Sequence, residues 1–447
     1  MALGGGSFTS QNKKLPGSYI NFISLAASSA SLSDRGIAAL AIEMDWGVDG
    51  SVFEVTSGDF QKNSLKIFGY DFADEKLKGL RDLFKNARTL FTYRLNSDGQ
   101  KATSDFGTAK YSGIRGNDLK VVIQTNVDDA TKSDVKTYLG SVLVDSQTVA
   151  TASKTTALAD NDYITWAKDV ELVATAGTAF SGGTNGTVTN ASHQNFLNKI
   201  ESFSFNALGV VSTDKAVTSL YAAFAKRLRD EMGIKFQSVS YNTAADHEGC
   251  VNVKNRCLDG ASTAENNEVY PNEAALVYWV TGVVAGTAVN KSATNKVYDG
   301  EFTVDVDFTQ SQLEAAIDAG EFTLHQVGSD VRVLSDINSL VTISDEKGDI
   351  FKDNQTIRVI DQIANDIAVL FNTKYLGVVP NDAAGRISLW TDIVKHHRQL
   401  QDIRAIENFN SDDVSVEQGD TKKAVAVNDA VTIVNAMTKL YMTCVIQ

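Results

Sequence analysis

Apolar and polar positions alternate with a changing period along this chain, and the changes divide it. The two ends are the least polar stretches for their position: Tyr19 to Leu25 follows a Pro16-Gly17 turn, and residues 430–447 run β-branched and aromatic almost to the last residue. Chain ends are usually polar and mobile, so each run reads as a strand that needs a partner. Between them, strands are predicted at Ile37–Met44, Phe53–Val55 and Leu90–Leu95. A helix is predicted over Phe72–Asn86, where Leu77, Leu80, Leu83 and Phe84 recur at helical spacing. From residue 97 to about 182 the chain turns rich in Thr, Ser, Val, Gly and Asp. Short alternating runs at Leu119–Thr125, Val135–Leu143 and Asp169–Ala174 predict a small β-sandwich or barrel there. Residues 177–192 read as its flexible exit.

Beyond it the order becomes helix, strand, helix, strand. Helices are predicted at His193–Ser202 and Lys215–Met232, the second capped by Ser212, Thr213 or Asp214 and ended by Gly233. Strands follow at Ala207–Val211, Ile234–Tyr241 and Cys250–Val253. Ala274–Val284, opened by Pro271, is apolar almost all round and predicts a buried helix. A strand at Phe302–Phe308, a helix from Thr309 to Ala319 and a hairpin around Gly328 come next. Two long helices, Thr356–Leu370 and Ile387–Asn408, precede strands at Val414–Val416 and Ala424–Val427. The fold class expected is α/β (α+β): a core assembled from N- and C-terminal parts of the chain, an inserted β-sandwich or barrel, and extended β arms at both ends. The divisions expected are 1–25, 26–96, 97–182, 183–345, 346–427 and 428–447.

Length changes this picture little, since 447 residues suit two or three domains. A net charge of −14 argues against nucleic-acid binding. No run approaches the ~18 apolar residues of a membrane span, and the start lacks a secretory pattern. Three cysteines, Cys250, Cys257 and Cys444, fit reduced thiols in a cytoplasm. No phosphate-binding loop, nucleophile elbow or metalloprotease motif occurs, so no catalytic, cofactor or metal residue is assigned. His247, Cys250 and Cys257 lack a fourth zinc ligand. His396-His397 on a helix point about 100° apart and read as a solvated or interface pair. Their helix carries Arg386, Lys395, Arg398 and Arg404 against Asp392 and Asp402, a local excess of positive charge in an acidic chain. That face is either solvated or a dock for an acidic partner.

The segments LPGSYINFISLA (15–26), LSDRGIAALAIEMDWG (32–47), VYPNEAALVYWVTGVVAGT (269–287) and NKVYDGEFTV (295–304), with the long helix pair ending near Asn408, resemble contractile tail sheath proteins of phages and phage-tail-like particles. The shorter sheaths of simple contractile particles are the nearest in look. The resemblance implies a structural subunit, not an enzyme. Such subunits stack as six-membered rings around an inner tube and exchange strands between copies. They contract from a metastable extended state to drive the tube through a target envelope. It implies arm strands at Tyr19, Ile20, Phe22, Leu440, Tyr441, Met442, Val445 and Ile446. It further implies a tube-facing helix bearing Arg386, Lys395, Arg398 and Arg404, and hinges at Gly4, Gly5, Gly6 and Gly419. The partners implied are other copies, the tube protein, and baseplate and collar or terminator proteins, with no cofactor, nucleic acid or membrane insertion. The site implied is the host cytoplasm during assembly and then the released particle. Another self-assembling tail protein, of the tube or baseplate, is the alternative, and a cytoplasmic α/β enzyme a more distant one.

Overall fold

The computed structural model describes residues 32–260 and 272–446, with the backbone of two short strands, Ser262–Ala264 and Asn267–Val269, between them. Two compact units are present: 34–362 with 434–446, and 363–433 with residues 32 and 33.

The larger unit is built on a seven-stranded sheet. From one edge to the other its strands are Glu321–Phe322, Cys250–Val253, Gln237–Tyr241, Ala207–Val210, Ile37–Ile42, Thr89–Arg94 and Phe53–Thr56. Every pairing is parallel except the last, where Phe53–Thr56 runs against Thr89–Arg94. Parallel strands are covered on both faces, which is why IAALAI and ALGV are apolar without alternation. One face packs on helices Ser57–Phe68, Lys78–Phe84 and Leu276–Gly286 through Phe60, Leu80, Leu83, Trp279 and Val283. The other packs on Asn190–Ile200 and Lys215–Asp230 through Phe196, Leu197, Tyr221, Phe224 and Leu228. Asp214 caps the latter helix by accepting from the Ala216 amide at 2.8 Å. Gly282 and Gly286 let the buried apolar helix approach residues 83–86: a Cβ at Gly286 would stand 1.8 Å from the Asn86 carbonyl oxygen.

Between Leu95 and Thr189 the chain leaves this sheet to form a β-sandwich. A four-stranded sheet (Thr175–Ala179, Leu119–Thr125, Lys132–Leu139, Val142–Ala150) faces a three-stranded one (Lys101–Ser104, Gly107–Ser112, Ile164–Trp166). Val121, Ile123, Val135, Ile164, Trp166 and Phe180 fill its core. The entering and leaving segments are zipped together by main-chain hydrogen bonds, Gly186 N–H to Asn96 O at 3.0 Å, Thr184 N–H to Gln100 O at 3.0 Å, and Thr103 N–H to Ser181 O at 2.8 Å. Arg94, 1% exposed, fastens the base by donating to the carbonyls of Gly47 and Ser112 and to Asp49. Trp46 is buried in the sandwich core.

Several expectations need correction. Residues 177–192 are not a flexible exit: they close strand Thr175–Ala179, bond back to the entering segment and open helix Asn190–Ile200. Val135–Leu143 spans the turn between strands Lys132–Leu139 and Val142–Ala150. Asp169–Ala174 is not a strand: Asp169 has φ +64, and only Glu171 pairs, in an isolated bridge with Lys154. The strand lies at Thr175–Ala179 instead. Phe302–Phe308 makes only the Cys257–Val304 bridge, so its alternation reflects burial of Phe302 and Val304 rather than a ladder. The terminal run pairs only at Thr432–Ile433. A helix at Ser57–Phe68 was not foreseen; Thr56 caps it through the Asp59 amide, and Phe60, Ser64 and Phe68 form its buried stripe. Pro271 lies outside the described residues. No helix among those described is long and apolar enough to cross a membrane.

Asp82, 1% exposed, is a carboxylate buried for reasons of packing. It accepts from the Glu301 amide at 2.8 Å and the Tyr298 hydroxyl at 3.1 Å. Burial nonetheless pushes its pKa from 3.8 up to about 6. A raised carboxylate pKa adds stability below the unfolded-state value and loses it as pH climbs through the folded one, here by about 3 kcal/mol between pH 4 and 7. Asp82→Asn is therefore expected to raise the melting temperature at pH 7.5, with the gain vanishing near pH 4. Stability differences that stay constant across that range would refute the assignment.

Candidate assembly surfaces

The smaller unit is organised around helix Ala383–Asp402. Asp382 caps it by accepting from the Gly385 amide at 2.8 Å. Its inward face carries Leu389, Ile393, Val394 and Leu400 and also both histidines, each 0% exposed. The expectation of a solvated or interface pair is thus overturned. Residues 100° apart both face inward when the buried arc is broad, and here it spans 393, 394, 396, 397 and 400. His396 Nε2 meets Asp366 at 2.9 Å, and His397 Nε2 meets Asp429 at 2.7 Å. The two Nδ1 atoms lie 3.3 Å apart, a hydrogen bond that needs a proton on one of them. The pair therefore joins three segments: the Asp366 turn of helix Asn354–Leu370, the long helix, and the end of strand Val425–Asp429. Nothing local in the sequence marked Asp366 or Asp429, which stand 30 and 32 residues from their histidines.

Strand Val425–Asp429 pairs with Val414–Gln418 in a hairpin whose sheet, among the described residues, has only these two strands. Trp390 Nε1 donates to the Val414 carbonyl at 3.0 Å and seats the hairpin on the helix. Gly419 lies in the hairpin loop, its amide bonded to the Ala424 carbonyl at 2.9 Å. The N-terminal segment enters at this unit: the Leu32 amide donates to Gln399 Oε1 and the Ser33 amide to Asp366 Oδ2, both at 3.3 Å.

The outward face of the long helix carries Ile387, Thr391, Lys395, Arg398 and Asp402, all exposed at helical spacing. Lys395 and Arg398 form no ion pair among the described residues. The other two nominated cations differ. Arg386 folds back onto the carbonyl and side-chain oxygens of Asn381, at 3.2 and 3.0 Å. Arg404 lies past the helix end with φ +60, the left-handed residue at which the helix stops. Asp392 is neutralised by Lys374 at 2.6 Å.

The C-terminal segment, part of the larger unit, has no regular structure after Ile433. Leu440, Tyr441, Met442, Val445 and Ile446 are 78–93% exposed, so all five C-terminal arm residues are apolar and uncovered in the single chain. Tyr19, Ile20, Phe22 and Gly4 to Gly6 lie outside the described residues.

Two groups of polar and thiol side chains in the larger unit are held by the fold itself. Asp230, His247 and Glu248 converge, but His247 Nδ1 accepts from the Gly249 amide at 2.9 Å. Its proton therefore sits on Nε2, which donates to Asp230 at 3.1 Å, and a neutral ring so arranged has no lone pair for a metal. Cys250 and Cys257 are buried in the cores on opposite faces of the sheet, and burial pushes the Cys257 thiol up to about 12.

Comparison with known proteins agrees along the chain. Family models described as tail sheath protein Gp18 domain III N-terminal region, phage tail sheath protein beta-sandwich domain, phage tail sheath protein central domain and phage tail sheath C-terminal domain match residues 35–95, 97–185, 186–339 and 346–447. The chain is 33% identical to the phage-like element PBSX protein XkdK of Bacillus subtilis (strain 168), over 98% of this chain and 99% of that one. It is similar to the crystal structure of the sheath tail protein from Desulfitobacterium hafniense, with TM-score 0.78 and 36% identity over 95% of this chain and 99% of that one. For the sheath tail protein from Listeria innocua the values are 0.77 and 32%, over 92% and 94%.

Proposed function

The chain belongs to the phage tail sheath protein family, whose members are structural subunits and not enzymes, and from that premise we propose how it assembles and works. Subunits polymerise as stacked six-membered rings around an inner tube. The N- and C-terminal arms of each copy add strands to its neighbours. The extended sheath is metastable, and passage to a tighter packing of the same folded subunits drives the tube through a target envelope.

The observation that carries this reading is the C-terminal segment, which exposes Leu440, Tyr441, Met442, Val445 and Ile446 to solvent. Apolar side chains in sequence on an extended backbone are what strand addition uses: main-chain bonds supply affinity and alternate side chains set register. The two-stranded hairpin Val414–Gln418 with Val425–Asp429 leaves sheet edges for such a strand to join. The tube is proposed to meet the basic helix face, foremost Lys395 and Arg398, with Arg386 and Arg404 at its flanks. Gly4 to Gly6 and Gly419 are proposed as points where arms and hairpin yield. Baseplate and collar proteins would close the two ends, with assembly in the bacterial cytoplasm before release.

Electron microscopy of the purified full-length chain, alone and with its tube protein, tests the reading. Hollow helical cylinders with six-fold symmetry are expected. Monomers or dimers across a range of salt and concentration would defeat it.

A further inference from the structure

The C-terminal arm is held at one place before it becomes free. Gln355, 2% exposed, donates from Nε2 to the Val434 carbonyl at 3.0 Å and accepts at Oε1 from the Ala436 amide, also at 3.0 Å. A carbonyl and an amide two residues apart on one side of an extended chain are the groups a neighbouring strand would engage. One side-chain amide stands in for that strand. Beside it, Asn435 Nδ2 donates to Thr356 Oγ1 at 3.1 Å. Thr356 is 0% exposed.

The holding residues are themselves anchored. Asp353 accepts from the Gln355 amide at 2.7 Å. Asn354, 0% exposed, accepts from Gln237 of the central sheet at 2.7 Å and donates to Asp336 and to the Ile337 carbonyl. Asp336 in turn pairs with Arg358 at 2.6 Å. A pull on the arm therefore passes through residue 355 into the sheet. Asn435 and Ala436 are already exposed, so what holds this stretch is hydrogen bonding rather than burial; among the described residues its last bond is that of the Ala436 amide, and Met437 is 101% exposed.

We propose that Gln355 and Thr356 form a clip that fixes the root of the C-terminal arm and makes Ala436–Met437 its pivot. The inference rests on the arm-exchange reading for its purpose and for the arm-length test of the pivot, but not for the hydrogen-exchange test of the clip. Residues 437–446, fully extended, reach about 33 Å from the pivot. The clip thereby sets how far away an acceptor strand can lie, and carries the load when neighbours separate.

Hydrogen exchange on the full-length monomer tests the clip. The Ala436 amide is expected to exchange more slowly than amides of residues 437–446. Gln355→Ala is expected to speed it roughly ten- to thirty-fold, the loss of two hydrogen bonds, with strand Gln237–Tyr241 unchanged. An unprotected Ala436 amide, or one indifferent to Gln355→Ala, overturns the clip. The pivot is tested by arm length. In chains shortened stepwise within residues 437–439, the shortest arm that still polymerises is expected to be about two residues shorter with Gln355→Ala than without it, because release returns slack. An equal limit overturns the pivot. Protection of residues 440–446 on polymerisation reports separately on strand exchange, and its absence would defeat that reading while leaving the monomer result standing.

Discussion

A chain lacking residues 441–447 is expected to fold, to melt within a degree or two of the full-length protein, and to stay monomeric under conditions in which the full-length chain is expected to build cylinders. The first half of this outcome follows from exposure: Tyr441, Met442, Val445 and Ile446 are 78–93% exposed, so their removal costs the single subunit almost no packing. The second half follows from what they gain elsewhere. Covering an exposed aliphatic or aromatic side chain is worth about 1.5–3 kcal/mol, so four such residues offer roughly 6–12 kcal/mol of gross stabilisation per arm. Ordering the arm costs about 1–2 kcal/mol for each fixed residue, a sum of the same size, so the net gain comes from ladder hydrogen bonds and contacts with neighbouring subunits. The balance is steep, and losing the apolar half tips it. Sedimentation velocity with microscopy reads both halves at once. Cylinders formed by the truncated chain would remove the donated strand from the mechanism.

The double substitution Lys395→Glu with Arg398→Glu is expected to abolish assembly on the proposed tube partner and to leave polymers of the chain alone intact. The two side chains are exposed on one helix face, away from the inward histidines and the hairpin contact at Trp390. The fold therefore does not depend on their charge. A solvated ion pair is worth about 0.2–1 kcal/mol, too little to hold one subunit on a tube. Six subunits in a ring add such terms together, to roughly 2–12 kcal/mol for two contacts each, and reversal turns attraction into repulsion. The same weakness allows release when the sheath moves. Raising the salt to 1 M, where the screening length falls to about 3 Å, is expected to reproduce the effect on the unmodified chain. Tube-bound assembly that survives both treatments would move the contact to another face.

Much of the core was legible because its signals are local. IAALAI, ALGV and CVNV announce buried parallel strands by unbroken apolar character. Asp214 and Gly233 mark a helix start and stop by chemistry that acts within a few residues. Alternation in LKVVIQT set a sandwich strand correctly. The same alternation misled at Phe302–Phe308, because a period of two records which side chains are buried and not whether the backbone finds a partner. Helix Ser57–Phe68 escaped notice because its buried stripe includes a serine, Ser64, between two phenylalanines. The assembly surfaces were legible in part. The exposed positions of Lys395 and Arg398 follow from helical spacing, but the inward turn of His396 and His397 depends on Asp366 and Asp429, brought in by tertiary folding alone. Arg386 and Arg404 looked equivalent to their neighbours as charges; the guanidinium of Arg386 folds back onto Asn381, whereas Arg404 lies past the helix end with an exposed side chain. No spacing pattern in the sequence points from Gln355 to a segment 79 residues away.

The zipped neck of the β-sandwich has an evolutionary and practical consequence. Asn96 and Gly186, Gln100 and Thr184, and Thr103 and Ser181 are bonded pairs, so the chain departs from and returns to the central sheet through one narrow doorway. Whatever lies beyond that doorway is a cassette: it can lengthen, shrink or be exchanged without stretching the strands on either side. The cassette must still present a lid for Trp46 and acceptors for Arg94, because both belong to the core and are covered from the sandwich side. A foreign domain grafted between residues 103 and 181 with those two conditions met is expected to leave the central sheet folded beneath it.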